Sequence, residues 1–161
     1  IDPQKNFLGI QDFTASQIVQ YSQKVREQIN IKYPNKFIHP EDSSIKNVTH
    51  LLWSGTPIHE GSDGRNAVFY GEKAIDRSPC GTGTSARLAQ LHAKGKLKKG
   101  IEFVHESFIG STFVGCIEEE TTVGDFPAII PSIKGWAKIY GYNTIIIDDK
   151  DDPYAHGFSV I

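Results

Sequence analysis

The chain has 161 residues, of which 39% are hydrophobic and 22% are charged, and its formal net charge is -2. This length suffices for one domain with its own hydrophobic core, so we expect residues 1–161 to form a single domain. The charge excludes the basic surface typical of nucleic-acid-binding proteins, and the apolar runs are too short for a membrane span, so we expect neither partner.

The cysteine content indicates a reducing compartment. The chain has two cysteines, Cys80 and Cys116, has no methionine and begins at Ile1. Without Cys-x-x-Cys spacing or a signal-peptide pattern, we expect a cytoplasmic protein with free thiols. Since isoleucine is a poor candidate for the residue left by removal of an initiator methionine, we expect the natural start to lie upstream.

The first predicted element is an amphipathic helix over residues 14–31. Apolar residues recur there at three- and four-residue spacings, while polar residues occupy the other faces. Thr14 and Gln17 have the spacing of a capping box at its start, and Pro34 marks its end.

The following segments predict strands and a second helix. Residues 46–53 and 66–70 read as strands, and the turn residues 61–64 favour a hairpin. A helix over 85–94 is small or apolar nearly all round, which is typical of a helix inside other elements, and Gly95 can end it. Further strands are expected over 101–104, 111–117, 136–140 and 143–147. The pattern predicts an α+β fold in which mixed β-sheets surround a buried central helix.

Cys80 carries the strongest chemical signal. Pro79 cannot continue a helix from upstream, and Thr84 or Ser85 can cap the helix that follows, so Cys80 lies just before a helix N-terminus. Free backbone N–H groups there favour a thiolate and can also hold a carboxylate or phosphate. A structural cysteine is the alternative, but small neighbours present a side chain better than they bury it, which favours a functional Cys80.

Two further candidate residues each allow a functional and a structural interpretation. Asp76, four residues before Cys80, can grip an ammonium group, although a turn-capping role fits equally well. His50 interrupts a predicted apolar strand, where a polar ring needs a partner or a function; a hydrogen-bonded core histidine is the alternative. The histidines show no metal-ligand spacing, so we expect no metal site. We expect Cys116, in a predicted strand, to serve packing.

Three segments carry a family resemblance. IDRSPCGTGTSARLAQLHAKGKL, FVHESFIGSTFVG and GYNTIIIDDKDDPYAHGF resemble the C-terminal half of the proline racemase family, most closely its 4-hydroxyproline epimerase branch. The resemblance implies one half of a diaminopimelate-epimerase-like fold, with the active site in the cleft between two similar halves. It also implies cofactor-independent epimerisation of a small-molecule substrate, trans-4-hydroxy-L-proline, to cis-4-hydroxy-D-proline by two cysteines that exchange protons.

The resemblance also implies roles for single residues. Cys80 would be one of the two thiols that act as acid and base. The N–H groups of Gly81 and Thr82 would hold the substrate carboxylate and stabilise the charge that develops on it. Asp76 would bind the ring nitrogen as a cation, and His50 would contact the substrate hydroxyl or ring.

The second thiol of the family is not in this sequence. It belongs to a Met-Cys-Gly-His stretch in the N-terminal half, which Cys116 does not match. We therefore expect this chain to be the C-terminal half of an epimerase, to need the N-terminal half as a partner and to be inactive alone; a homodimer stays open. The alternatives are a proline racemase, an acyltransferase or hydrolase with Cys80 as nucleophile, and a non-catalytic anion-binding module.

Overall fold

The computed structural model describes residues 9–159, which form one mixed β-sheet with two α-helices. The helices are α1 (Ala15–Lys32) and α2 (Gly81–Ala93). The six strands are β1 (Leu51–Gly55), β2 (Gly64–Tyr70), β3 (Ala74–Ile75), β4 (Phe103–Glu106), β5 (Thr112–Val123) and β6 (Phe126–Lys134). The predicted α+β class and the mixture of strand directions are confirmed. Within the described part of the chain, no helix is both long and apolar enough to span a bilayer.

Helix α1 begins and ends as predicted. The Thr14 N–H donates to Gln17 Oε1 at 2.8 Å, and the Gln17 N–H donates to Thr14 Oγ1 at 3.2 Å, which completes a capping box. The helix ends two residues before Pro34. Its buried residue Ile18 belongs to a core cluster with Trp53 of β1, which holds α1 against the sheet.

The strands run in the order β1-β2-β4-β5-β6, with β3 paired to β2. β2 and β4 are parallel, and the other pairs are antiparallel. The predicted hairpin is confirmed, with Leu51 opposite Phe69. Its first strand begins at Leu51, later than the predicted residue 46, so His50 precedes the strand instead of interrupting it.

Helix α2 differs from its prediction in start and surroundings. It begins at Gly81, four residues early, and Cys80 holds the N-cap position expected for Thr84 or Ser85. The prediction of a helix enclosed by several sheets is wrong, because the single sheet covers one helix face, on which Thr84 and Leu88 are buried. The small residues of this helix do not indicate that it is enclosed, since alanine favours a helix whether it is buried or exposed.

Two glycines fix the position of α2. A Cβ on Gly115 of β5 would lie 2.8 Å from Leu88 Cδ1 and 3.3 Å from Thr84 Cγ2, so glycine lets the helix approach the sheet closely. Gly95 ends the helix as predicted, with φ at 66° and its N–H donating to the His92 carbonyl at 2.8 Å. The start of α2 is thereby held over the sheet.

The last part of the chain departs most from prediction. β6 was not predicted; it contains Pro127 and Pro131 and is an edge strand, where prolines are tolerated. Conversely, the strands predicted over 136–140 and 143–147 are absent. Strand propensity without a neighbouring strand to pair with does not produce a strand.

Candidate active site

A cavity of about 880 Å³ lies between the β1–β2 hairpin and α2. Three of the five predicted site residues, His50, Cys80 and Thr82, line it. The other two, Asp76 and Gly81, are not part of its wall.

Cys80 lies at the N-cap of α2 in an unusual backbone conformation. Its φ is 65°, in the region that favours glycine. Its Sγ accepts the Gly83 N–H at 3.4 Å and lies 3.3 Å from the hydroxyl oxygen of Thr82. Hydrogen-bond donors and the positive end of a helix dipole thus meet at the sulfur, an arrangement that stabilises negative charge there.

This conformation yields a stability prediction. Glycine adopts a φ of 65° freely, whereas alanine meets the same steric cost as cysteine. We therefore expect Cys80→Gly to exceed Cys80→Ala in free energy of unfolding by ~1 kcal/mol, measured by urea unfolding. Both variants lose the sulfur and its bond from Gly83, so the comparison isolates the backbone. An alanine variant as stable as the glycine variant would show that this backbone is unstrained.

The N–H groups of Gly81 and Thr82 occupy the first turn of α2. Backbone donors at these positions have no acceptor within the helix. A Cβ built on Gly81 meets nothing within 4 Å, so the space beside this residue is open. The two N–H groups predicted to bind a carboxylate therefore lie at the helix start. The next N–H, of Gly83, donates to the Cys80 sulfur.

Asp76 organises the loop that leads to Cys80. Its Oδ1 accepts the Ser78 N–H and the Ser78 hydroxyl, both at 2.9 Å. The Ser78 hydroxyl oxygen in turn accepts the Cys80 N–H at 3.0 Å. Asp76 thus has the turn-capping role that the sequence left open, and these bonds do not use its Oδ2.

His50 lies at the surface beside the cavity. Its Nδ1 is 2.9 Å from Thr49 Oγ1, and its ring stacks on Tyr70 with centroids 6.4 Å apart. The exposed ring, with its Nε2 unused by these contacts, is open to a ligand.

The cavity also has a cationic wall that motif reading did not identify. Arg87, Lys94 and Lys96 line it, and none of its lining residues within the described chain is acidic. Such a wall attracts an anionic ligand. The sequence spacing indicates this wall, because positions 80, 87 and 94 follow each other at intervals of seven residues. Seven residues are about two helical turns, which places these positions on one face.

A buried polar group lies beneath the start of α2, and sequence reasoning missed it. Asn66 of β2, Thr84 of α2 and His105 of β4 are each at most 1% exposed, and His105 lies within hydrogen-bond distance of both other side chains. Burial, together with the nearby charge of Arg87, lowers the pKa of His105 to about 4. The argument applied to His50, a polar ring in an apolar strand, fits His105 instead. Among residues 9–159, no group of His, Cys, Asp or Glu side chains could hold a metal ion.

Comparison with known proteins shows the family of this chain. The family model described as proline racemase matches residues 1–159, and the chain belongs to the proline racemase family. A 4-hydroxyproline epimerase of Brucella ovis is 58% identical over 160 residues, which are 99% of this chain and 47% of that protein. A 4-hydroxyproline 2-epimerase of Spirosoma linguale is 56% identical over 161 residues, 100% of this chain and 47% of that protein. The chain therefore spans about half the length of the curated relatives it matches.

A solved structure supports the fold. A hydroxyproline epimerase from Agrobacterium vitis, with bound trans-4-OH-L-proline, superposes with a TM-score of 0.72 and 32% sequence identity. The match covers 92% of this chain and 43% of that one.

Proposed function

We propose that this chain supplies one half of the active site of a 4-hydroxyproline epimerase, which converts trans-4-hydroxy-L-proline to cis-4-hydroxy-D-proline without a cofactor. The observation that carries the proposal is the Cys80 sulfur, which accepts the Gly83 N–H at a helix N-terminus and lines a cavity with a cationic wall. The substrate is supported by the names of the relatives and by the ligand of the Agrobacterium vitis structure.

The chemistry follows from the inversion itself. Inverting an α carbon requires that one base removes the proton from one face while an acid delivers a proton to the other. The Cys80 thiolate takes the α proton, and the C–H electron pair moves onto the substrate carboxylate. The N–H groups of Gly81 and Thr82 stabilise this enolate-like charge. A second thiol, from the remaining half of the protein, returns a proton on the opposite face, and the reverse reaction exchanges the two roles.

The two other predicted residues bind the substrate in this proposal. Asp76 holds the ring nitrogen as a cation through Oδ2, since both Ser78 bonds use Oδ1. His50 contacts the substrate hydroxyl with the ring that stacks on Tyr70. The His50 contact adds selectivity for the hydroxylated ring, because a site built to hydrogen-bond a hydroxyl discriminates against a substrate without one.

The proposal requires a second half, arranged with this one as in the diaminopimelate epimerases, with the substrate in the cleft between them. Curated relatives have about twice the length of this chain. Residues 136–147 leave large apolar side chains in solvent: Ile139 is 76% exposed, Tyr140 98% and Ile146 85%. Such a continuous apolar stretch marks a contact surface. We assign it to the remaining half, and the two together are called the intact protein below.

Proteolysis tests this assignment. We expect chymotrypsin to cleave the 161-residue chain after Tyr140 and Tyr142, which are 98% and 92% exposed, and to spare both sites in the intact protein. Mass spectrometry of the fragments over time measures each cut. Cleavage after Tyr154, which is 62% exposed but lies outside the proposed contact, serves as the internal comparison. Equal cleavage at Tyr140 in both proteins contradicts the assignment.

Polarimetry of the intact protein tests the function. We expect the optical rotation of trans-4-hydroxy-L-proline to change faster than that of L-proline at equal enzyme concentration. A faster change with L-proline would overturn the role of His50 and favour proline racemisation, a reaction for which one structural relative, named a probable proline racemase, provides support at 37% identity. No change with either substrate would overturn the proposed function.

A further inference from the structure

We propose that Asn66, Thr84 and His105 form a positioning network that holds Cys80 in its reactive conformation by fixing the peptide bond before it. None of the three lines the cavity, so each acts through the Cys80 loop and not by contact with a ligand in the cavity. The proposal rests on the proposed role of Cys80 as acid and base.

The network acts on the peptide bond between Pro79 and Cys80. The Pro79 carbonyl accepts Asn66 Nδ2 at 2.8 Å and the Thr84 hydroxyl at 3.2 Å. On the other side of the same peptide plane, the Cys80 N–H donates to the Ser78 hydroxyl oxygen at 3.0 Å. Three hydrogen bonds therefore fix the plane whose rotation would change φ of Cys80.

Fixing this plane keeps the sulfur in place. At its φ of 65°, Cys80 is in a conformation that a non-glycine residue leaves unless its surroundings hold it. In this conformation the sulfur accepts the Gly83 N–H at 3.4 Å. If the peptide plane rotated, the sulfur would move away from the donor that stabilises the thiolate.

His105 completes the network in its neutral form. His105 Nδ1 is 3.0 Å from Thr84 Oγ1, and both ring nitrogens are 3.1 Å from Asn66 Nδ2. Because the Thr84 hydroxyl donates to Pro79, its oxygen accepts from Nδ1–H, and the unprotonated Nε2 accepts from Asn66. A second ring proton would place a donor against the Asn66 donor. The lowered pKa of His105 agrees with this assignment.

The test is the rate of iodoacetamide alkylation at Cys80 as a function of pH, in the intact protein. Trypsin releases Cys80 in the peptide 78–87 and Cys116 in the peptide 100–134, so mass spectrometry follows both thiols in one sample. Iodoacetamide reacts with the thiolate, so the pH of the half-maximal rate reports how strongly the site favours that form.

We expect Thr84→Val to lower the Cys80 alkylation rate at pH 7 by ~3- to 10-fold, the size of one lost hydrogen bond, and to shift the half-maximal rate to higher pH. The limiting rate at high pH should not fall. Thr84→Ser, which keeps the hydroxyl, should restore the profile of the unmodified protein. Asn66→Leu should act in the same direction, and His105→Gln, which keeps a donor and an acceptor, should shift the profile less than His105→Leu.

Asn30→Leu is the matched control. Asn30 also fixes a backbone segment by hydrogen bonds. It donates to the Val48 carbonyl and accepts the Val48 N–H, each at 2.9 Å, and these bonds do not involve the Cys80 loop. It should lower stability but leave the Cys80 profile unchanged. The charged and titratable side chains near the sulfur are left unchanged in all these variants: Asp76 in the loop, His50 before β1, and Arg87, Lys94 and Lys96 in the cavity wall.

An unshifted profile in folded Thr84→Val would overturn the positioning role, as would a uniform scaling of the rate at every pH. These outcomes separate the inference from the proposed function. If Cys80→Ser kept its epimerase activity while the profile still moved, the function would fail and the positioning role would stand. If Cys80→Ser were inactive and the profile did not move, the positioning role alone would fail.

Discussion

Replacing Cys80 by serine in the intact protein is expected to lower the rate of trans-4-hydroxy-L-proline epimerisation by ~10²- to 10⁴-fold, the usual contribution of a positioned acid or base. Serine retains the size of the side chain and can still accept the Gly83 N–H. It does not ionise at neutral pH, however, so it cannot remove the α proton. Polarimetry at saturating substrate measures the loss.

Cys116→Ser is the control for this substitution. Cys116 lies in β5, where its thiol donates to the carbonyl of Ile117 at 3.7 Å, and it does not line the cavity. We expect the activity of this variant to stay within about twofold of the unmodified protein, because the half-buried Cys116 lies away from the site. A Cys80→Ser variant with activity close to that of Cys116→Ser would exclude thiol acid–base chemistry at Cys80.

The stability of the protein is expected to fall steeply between neutral and acidic pH because of His105. Its pKa is about 4 in the folded protein against the ordinary value of 6.5. As the pH falls from about 6.5 to about 4, the unfolded chain binds a proton that the folded protein does not. The free energy of unfolding therefore decreases over this window, by ~3 kcal/mol from this residue, and is fully retained above it.

His105→Gln isolates this contribution, because carboxylates also titrate in the same window. Urea unfolding of both proteins between pH 7 and pH 4 measures the difference. We expect the stability advantage of the unmodified protein over His105→Gln to shrink by ~3 kcal/mol as the pH falls. Parallel curves for the two proteins would mean that His105 is not held neutral.

The sequence predicted the elements whose signals are local. The capping box at Thr14 defines where α1 begins, and Gly95 defines where α2 ends, because each depends on residues within one turn. The β1–β2 hairpin followed from two apolar segments joined by turn residues. Cys80 was placed at a helix start for the same reason, since a proline and several small residues surround it.

The features that depend on distant contacts could not be predicted in this way. The start of α2 was mispredicted because its first turn is stabilised by Thr84, which bonds to His105, a residue 21 positions away. The buried partner of the Cys80 loop was missed because Asn66, in β2, meets Pro79 only once the sheet has formed. Segment 136–147 has strand propensity but pairs with no strand of the described chain, and propensity alone does not reveal this.

Proton exchange at the α carbon tests the central claim most directly. When the intact protein turns over trans-4-hydroxy-L-proline in D₂O, we predict that the cis-4-hydroxy-D-proline formed carries deuterium from solvent at the α carbon. Mass spectrometry of the enzyme during turnover should show no covalent adduct on the peptide 78–87. Product without α deuterium would contradict the acid–base role of this thiol, and an acyl adduct on Cys80 would indicate nucleophilic catalysis instead.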